Sequence, residues 1–241
     1  MKKRQLIFLF SLFAFVSKAQ TVNIEKDEMI NVFERINSWF VNTPSYSVTV
    51  THASYEDYTT KNPFERSTGS FKKQDKNYHS FLMGMHTIQN NKYKVVVDTS
   101  SRKILVADPD QLAMMTYSTD DYKGLLKECK QIKKTKTGRY TFYRMELPAG
   151  SAIGAYEFLV DEDGLAREVI WYYNREINKD EDDSHSKVKP RLSISFSDYR
   201  KNPVFSDDVF SEEEYFKIND NKLMVTTKFH GFNLSDQRLK N

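Results

Sequence analysis

Chemistry in this chain has few places to reside. There are five histidines (His52, His79, His86, His185 and His230) and one cysteine, Cys129. None of them forms HExxH, HxH or a Cys–His zinc spacing, and one thiol cannot build a structural zinc site. His79 and His86 are seven apart, an odd step that on a continuous strand puts them on opposite faces. Cys129 has no His near it in the chain to activate a thiolate, and reads as a small buried hydrophobe ending a helical stretch. No metal and no cofactor are expected.

The remaining candidates have simpler readings. Asp161-Glu162-Asp163-Gly164 lacks the rest of a calcium loop and matches a hairpin turn. Ala149–Gly154 is neither a nucleophile elbow nor a phosphate loop, and reads as a flexible connection. Lys127–Lys136, followed by Arg139, Tyr140 and Tyr143, mixes basic and aromatic residues as single-strand binders do. Basic residues at a helix end also complement the helix dipole, and no nucleic-acid partner is expected. No catalytic motif stands out, so the reading is not an enzyme.

Composition narrows the class. The 241 residues are 39% hydrophobic with 17 Phe and 14 Tyr against 8 Gly and 6 Pro, which excludes collagen-like and low-complexity chains. A mean hydropathy of −0.65 excludes a polytopic membrane protein. Lys2, Lys3 and Arg4 precede an apolar run, Leu6–Val16, and Ser17-Lys18-Ala19 offers small residues before Gln20. That is the layout of a cleaved signal peptide covering residues 1–19, cut after Ala19. The run is shorter than the ~20 residues of a membrane span. A periplasmic or secreted protein with no stable membrane span is expected. Removing Lys2, Lys3, Arg4 and Lys18 turns the formal charge of +3 into 32 basic against 33 acidic residues. The basic tint belongs to the leader.

Residues 20–241 read as one α+β domain. Met29, Val32, Phe33, Ile36, Trp39 and Phe40 follow helical spacing up to Asn42-Thr43-Pro44. Ser45–Thr51 then alternates with period two. Further strands are expected at Thr68–Lys73, Tyr78–Met83, Tyr93–Asp98, Lys103–Ala107, Tyr140–Leu147, Ala155–Val160, Leu165–Tyr173, Arg191–Ser197 and Leu223–Phe229. Thr99-Ser100-Ser101 and Asp163-Gly164 supply turns. A short helix over Pro109–Tyr117 and a capping box at Ser118–Asp121 mark a helical insert. Asn178–Lys189 is polar and aperiodic, and reads as an inserted loop between strands. Short strands joined by turns require an antiparallel sheet.

This order resembles the LolA/LolB-like family of periplasmic lipoprotein carriers. Met29–Phe40 running into Tyr46-Ser47-Val48-Thr49-Val50 looks like the family's opening helix and first strand. Gly69-Ser70-Phe71-Lys72-Lys73 through Tyr78 looks like its next strand pair. Asn90-Asn91-Lys92, Arg102–Val106 and Asp198-Tyr199 through Phe205 and Phe210 match later segments. Gln74-Asp75 stands where the family often has a basic residue and proline, and Ser211–Phe216 replaces its Phe-x-Pro-Pro segment.

The resemblance implies a strongly curved antiparallel half-barrel with the helices on its concave side. It implies a non-enzymatic monomer binding a lipid, an acyl chain or a lipidated protein in an apolar cavity. The ligand-facing candidates are Tyr46, Val48, Val50, Phe81, Met83, Tyr93, Val95, Phe158, Ile194 and Phe196, with Val97 and Leu192, under a lid of Trp39 and Phe40. The same side chains would also make an ordinary core between helix and sheet. A cell-envelope scaffold using this fold without a small ligand is the alternative partner reading.

Overall fold

A computed structural model of the chain describes residues 20–110, 119–180, 183–220 and 222–238. The expected leader at residues 1–19 and most of the expected helix Pro109–Tyr117 lie outside the described residues. The elements are β1 (Gln20–Asn23), α1 (Lys26–Asn42), β2 (Ser45–Tyr55), β3 (Glu65–Gln74), β4 (Asn77–Leu82), β5 (Met85–Gln89), β6 (Lys94–Asp98), β7 (Lys103–Ala107) and α2 (Thr119–Lys127). They continue as β8 (Gln131–Thr137), β9 (Tyr140–Glu146), β10 (Ile153–Asp161), β11 (Ala166–Tyr173), β12 (Ile177–Asp180), β13 (Asp183–Val188), β14 (Arg191–Lys201), β15 (Phe216–Asn219), β16 (Lys222–Val225) and β17 (Asn233–Asp236).

Thirteen strands form one open, curved sheet in the order β1-β8-β9-β10-β11-β14-β2-β3-β4-β5-β6-β7-β17, so the fold is α+β as expected. The pairing is antiparallel apart from β17, which runs parallel to β7. That exception corrects the all-antiparallel expectation: β17 arrives after the C-terminal excursion, and so is not bound to a hairpin's direction. Asn178–Lys189 is also corrected, since β12 and β13 pair as a separate two-stranded hairpin. Strands β1, β5, β8, β15 and β17 carry too little alternation to read in advance; β8 spells QIKKTKT, with Ile132 its only apolar residue. The expected strand Leu223–Phe229 ends at Val225 and gives way to a single 3-10 turn at Thr227–Phe229.

Register shows which side chains share a face. Pairings Val48↔Phe71, Phe71↔Ser80 and Phe196↔Val50 put Tyr46, Val48, Val50, Phe71, Tyr78 and Phe196 on one face. Helix α1 covers that concave face. Met29, Val32 and Phe33 pack with Leu126, Cys129, Ile132, Tyr143, Met145 and Val160 at its start. Phe40 packs with Tyr46, Val48, Val50, Phe71 and Tyr78 at its end. A third cluster lies on the opposite face: Ile88, Val95, Val97, Ile104 and Val106 are covered by Tyr215, Phe216 and Phe229 from the C-terminal segment.

Two glycines mark where the sheet tolerates no side chain or turns back. A Cβ on Gly69 would sit 1.8 Å from the Phe81 carbonyl oxygen, so β3 and β4 approach there only because the residue is glycine. Gly84 closes the β4–β5 hairpin with φ +75 beside Met83 at φ +52, the primed geometry that suits sheet twist. We expect Gly69→Ala to cost about 2–4 kcal/mol by forcing these strands apart. Gly124→Ala in α2, where nothing lies within 4 Å, should gain about 0.5–1 kcal/mol. Urea midpoints of the two variants check both signs.

Candidate functional site

The concave face divides into a sealed part and an open part. Under the end of α1, Tyr46, Phe71 and Tyr78 stack across three neighbouring strands, with centroids 5.8 and 6.0 Å apart and interplanar angles of 20° and 16°. Trp39 meets Phe40, Tyr46 and Tyr199 at 5.1, 5.1 and 5.3 Å. Lys73, buried on β3, donates from Nζ to the carbonyls of Phe40, Val41 and Thr43 at 3.3, 3.3 and 3.0 Å. Burial lowers its pKa, with Asp75 acting the other way. It supplies the positive charge that the last turn of α1 lacks.

Beyond α1 the same face continues through Val169, Trp171, Leu192 and Ile194, placed together by Val169↔Ile194 and Trp171↔Leu192. All four are half-buried, and Val169, Trp171 and Leu192 belong to none of the packed clusters. Tyr156 joins this strip through an edge contact with Trp171 at 5.8 Å. The opposite face of these strands is different in kind. There Arg144 pairs with Glu146 and Glu157 at 3.2 and 3.3 Å and lies over Tyr172, whose hydroxyl donates to Glu157 at 3.0 Å. A cavity of about 380 Å³ opens beside that network, between Tyr58, Lys130, Arg144 and Asn174.

Nine of the fourteen sequence candidates stand on the concave side. Trp39, Phe40, Tyr46, Val48, Val50, Ile194 and Phe196 gather at the end of α1, Phe158 meets Phe33 edge-on at 5.1 Å near its start, and Leu192 lies opposite Trp171. Five do not. Phe81, 37% exposed, points to the other face because it pairs with Ser70 and His86. Met83, 49% exposed, is at the hairpin tip, since β4 ends at Leu82. Tyr93 and Val95, with Val97, lie under the C-terminal cover on the convex face. Alternation within each strand is legible in the sequence, whereas the parity linking one strand to the next depends on turn length. Val169 and Trp171 are not among the sequence candidates, although the expected strand Leu165–Tyr173 carries both.

Cys129 is buried as expected, its thiol donating to the Gln131 and Glu146 carbonyls at 3.4 and 3.5 Å, and burial raises its pKa. Asp161–Gly164 is a hairpin turn, with Asp161 accepting from Leu165 N and Arg167. Among the described residues no three His, Cys, Asp or Glu side chains converge as metal ligands would. Nor is any described helix long and apolar enough to cross a membrane.

The histidine pair overturns an expectation. Because the Met83-Gly84 turn separates their strands, His79 and His86 share one face, with rings 6.4 Å apart and 18° from parallel. They lie between Phe81 and the C-terminal Tyr215, within the fields of Lys72, Glu214 and Lys228.

No known protein family matches the chain, and neither does any curated protein. Among solved structures it is similar to the lipoprotein LppX of Mycobacterium tuberculosis, at 10% identity and TM-score 0.38 over 76% of this chain and 100% of that one. It is similar to a DUF1329 family protein from Desulfovibrio piger, at 9% identity and TM-score 0.33 over 78% and 97%. A LolA superfamily protein from Nitrosomonas europaea aligns at 9% identity and TM-score 0.31 over 76% and 97%. At these scores the likeness is one of distant arrangement, and the site rests on this chain's own residues.

Burial, with smaller contributions from Lys72 and His86, lowers the His79 pKa to about 4, and burial lowers that of His86. The unfolded chain therefore takes up protons below about pH 6.5 that the folded form refuses. Stability should be flat above that pH and fall by roughly 2 kcal/mol between pH ~6.5 and ~4. Hydrogen exchange should place the loss at Tyr215–Val225 before α1, and His79→Leu should flatten the slope. A uniform loss across both covers would exclude the histidine pair as its source.

Proposed function

We propose that this protein binds a hydrophobic ligand, a lipid, an acyl chain or a lipidated protein, on the concave face of its sheet beside α1, as a carrier or chaperone and not as an enzyme. The observation that carries this reading is the strip Val169, Trp171, Leu192 and Ile194, half-buried, uncharged and continuous with the aromatic cluster under α1. Contiguous apolar surface left outside the core marks sites for apolar ligands. Each buried CH₂ of an acyl chain contributes ~0.8 kcal/mol, so a chain laid along this strip needs no specific polar contact to bind. The family resemblance of the sequence points the same way. In this reading the protein is a single domain of 222 residues, exported to the periplasm or secreted after cleavage behind Ala19, with α1 as the lid.

A second reading is favoured by the β4–β5 tip, where Met83 is exposed in a left-handed conformation with Phe81 and Met85 also exposed beside it. Apolar side chains held outward at a strained turn suit a protein partner in the cell envelope.

Delipidated protein titrated with a fluorescent fatty acid or a lipopeptide separates the two. The carrier reading expects saturable binding, weakened about tenfold by Trp171→Glu, or ~1.4 kcal/mol, and unchanged by Met83→Ser. Absence of saturable binding, together with partner capture that Met83→Ser abolishes, would replace it with the scaffold.

A further inference from the structure

The apolar strip ends at β2. Register carries each of its rows across the next two strands: Ile194 pairs with His52 and His52 with Ser67, while Leu192 pairs with Ser54 and Ser54 with Glu65. Residues directly opposite one another on paired strands share a face, so these four stand on the concave side with Trp171 and Ile194. From β14 to β2 the face therefore passes from apolar to polar in a single strand step. Helix α1 does not cover this boundary. Along β2 the inward residues Tyr46, Val48 and Val50 are 0%, 1% and 8% exposed under its end, and the next two, His52 and Ser54, are half-buried. Ser67 is half-buried as well, and Glu65 at the margin is exposed.

His52 brings an unmet demand to this boundary. Its Nδ1 is buried and has no hydrogen-bond partner among the described residues. Buried polar atoms nearly always find a partner, and one left without costs its desolvation. An imidazole nitrogen either donates or accepts, and the serine hydroxyls beside it do both. Two cations of the concave face are committed elsewhere: Lys73 is held by three carbonyls at the end of α1, and Arg167, over Tyr199, bonds Asp161. Glu65 adds negative charge. A row of this kind suits hydroxyl groups, which donate and accept, and repels a carboxylate or a phosphate.

We propose that His52, with Ser54 and Ser67, binds the uncharged, hydroxyl-bearing head of an amphiphile, a glycerol or a sugar, whose acyl chain lies along Ile194, Val169 and Trp171. This deepens the carrier reading and rests on it. From β2 to β10 the face spans three strand spacings, about 14 Å, so head and chain lie in one line across the strands. The head supplies the partner that His52 Nδ1 lacks, and the polarity of the row sets the direction in which the ligand lies.

The test compares headgroups on one chain length. Probes are a monoacylglycerol, an alkyl glucoside, the fatty acid methyl ester and the free fatty acid, each used below its micelle concentration and read by displacement of a fluorescent fatty acid. The parent should bind at least one of the two hydroxylated probes fivefold or more tighter than the methyl ester and the free acid; which one it favours tells a glycerol head from a sugar. His52→Leu should lose that preference and still bind the methyl ester as the parent does, whereas Trp171→Glu should weaken all probes alike. Should His52→Leu fail to fold, the double variant Ser54→Ala with Ser67→Ala carries the same comparison, and its preference should fall at least twofold. A parent that binds the methyl ester or the free acid as tightly as the hydroxylated probes would overturn the proposal and leave the carrier reading standing. So would a preference that survives in the variants. Failure of every probe to bind the parent would remove the carrier reading itself, and this proposal with it.

Discussion

The fastening of α1 to the sheet by Lys73 is the contact on which the arrangement turns. One ammonium from β3 reaches three carbonyls at the helix end and lies 5.6 Å from the centroid of the Tyr46 ring. A helix end leaves its last carbonyls unsatisfied, and α1 has no basic residue of its own in its last turn and no glycine cap. The sheet therefore caps the helix. Burial of a lysine is costly, and here the charge meets both the helix dipole and three acceptors, which offsets that cost. Position is the consequence: with its end fixed over β2 and β3, and its start packed on β8 to β10, α1 covers one diagonal of the concave face and leaves Val169, Trp171 and Leu192 beyond it.

The two faces of the sheet are covered at different places by different parts of the chain. Helices α1 and α2 serve the concave side, while the C-terminal segment with Tyr215, Phe216 and Phe229 serves the convex side of β5 to β7. A strand buried on both faces needs apolar or well-paired side chains on both. β5 shows this in Thr87, Ile88 and Gln89, all buried, with Gln89 exchanging hydrogen bonds with the Asp110 backbone. Uncovered stretches divide by chemistry. The convex one holds Arg144, Glu146, Glu157 and Tyr172 in mutual ion pairs and hydrogen bonds, a self-satisfied surface. The concave one holds Val169, Trp171, Leu192 and Ile194, none of them charged.

Much of the fold was legible because alternation is local. Lys103–Ala107 was read at its true bounds, and α1 within a few residues of them. What stayed hidden depends on pairing. Phe81 and Val95 are inward candidates in the sequence only as apolar residues of strands, and the two-residue turn at Met83-Gly84 and the pairing Ser70↔Phe81 carry both to the convex face. The same turn brings His79 and His86 together although seven residues separate them. β8 looked like a basic patch because lysines can line a strand one place from a sheet edge, where their heads reach water. No property of residue 52 in the sequence marks its Nδ1 as unpaired; that follows only from what its neighbours are.

Openness of the sheet is what allows a concave face to serve a ligand at all, and it brings the hazard of two free edges. The central strands β2 and β14 run eleven residues each, whereas the edge strands β1 and β17 run four. Short edges limit the row of unpaired backbone groups that a second copy could extend. Next to β1, Lys133, Lys134 and Lys136 add charge that a stacked copy would have to bring against its own lysines. A closed barrel would abolish the edges but would also shut the mouth beside α1. Keeping the sheet open, shortening its edges and charging their neighbourhood preserves access to Trp171 and Ile194 without inviting strand addition. The length of the outermost strands is thus coupled, through the sheet's curvature, to the use of the innermost ones.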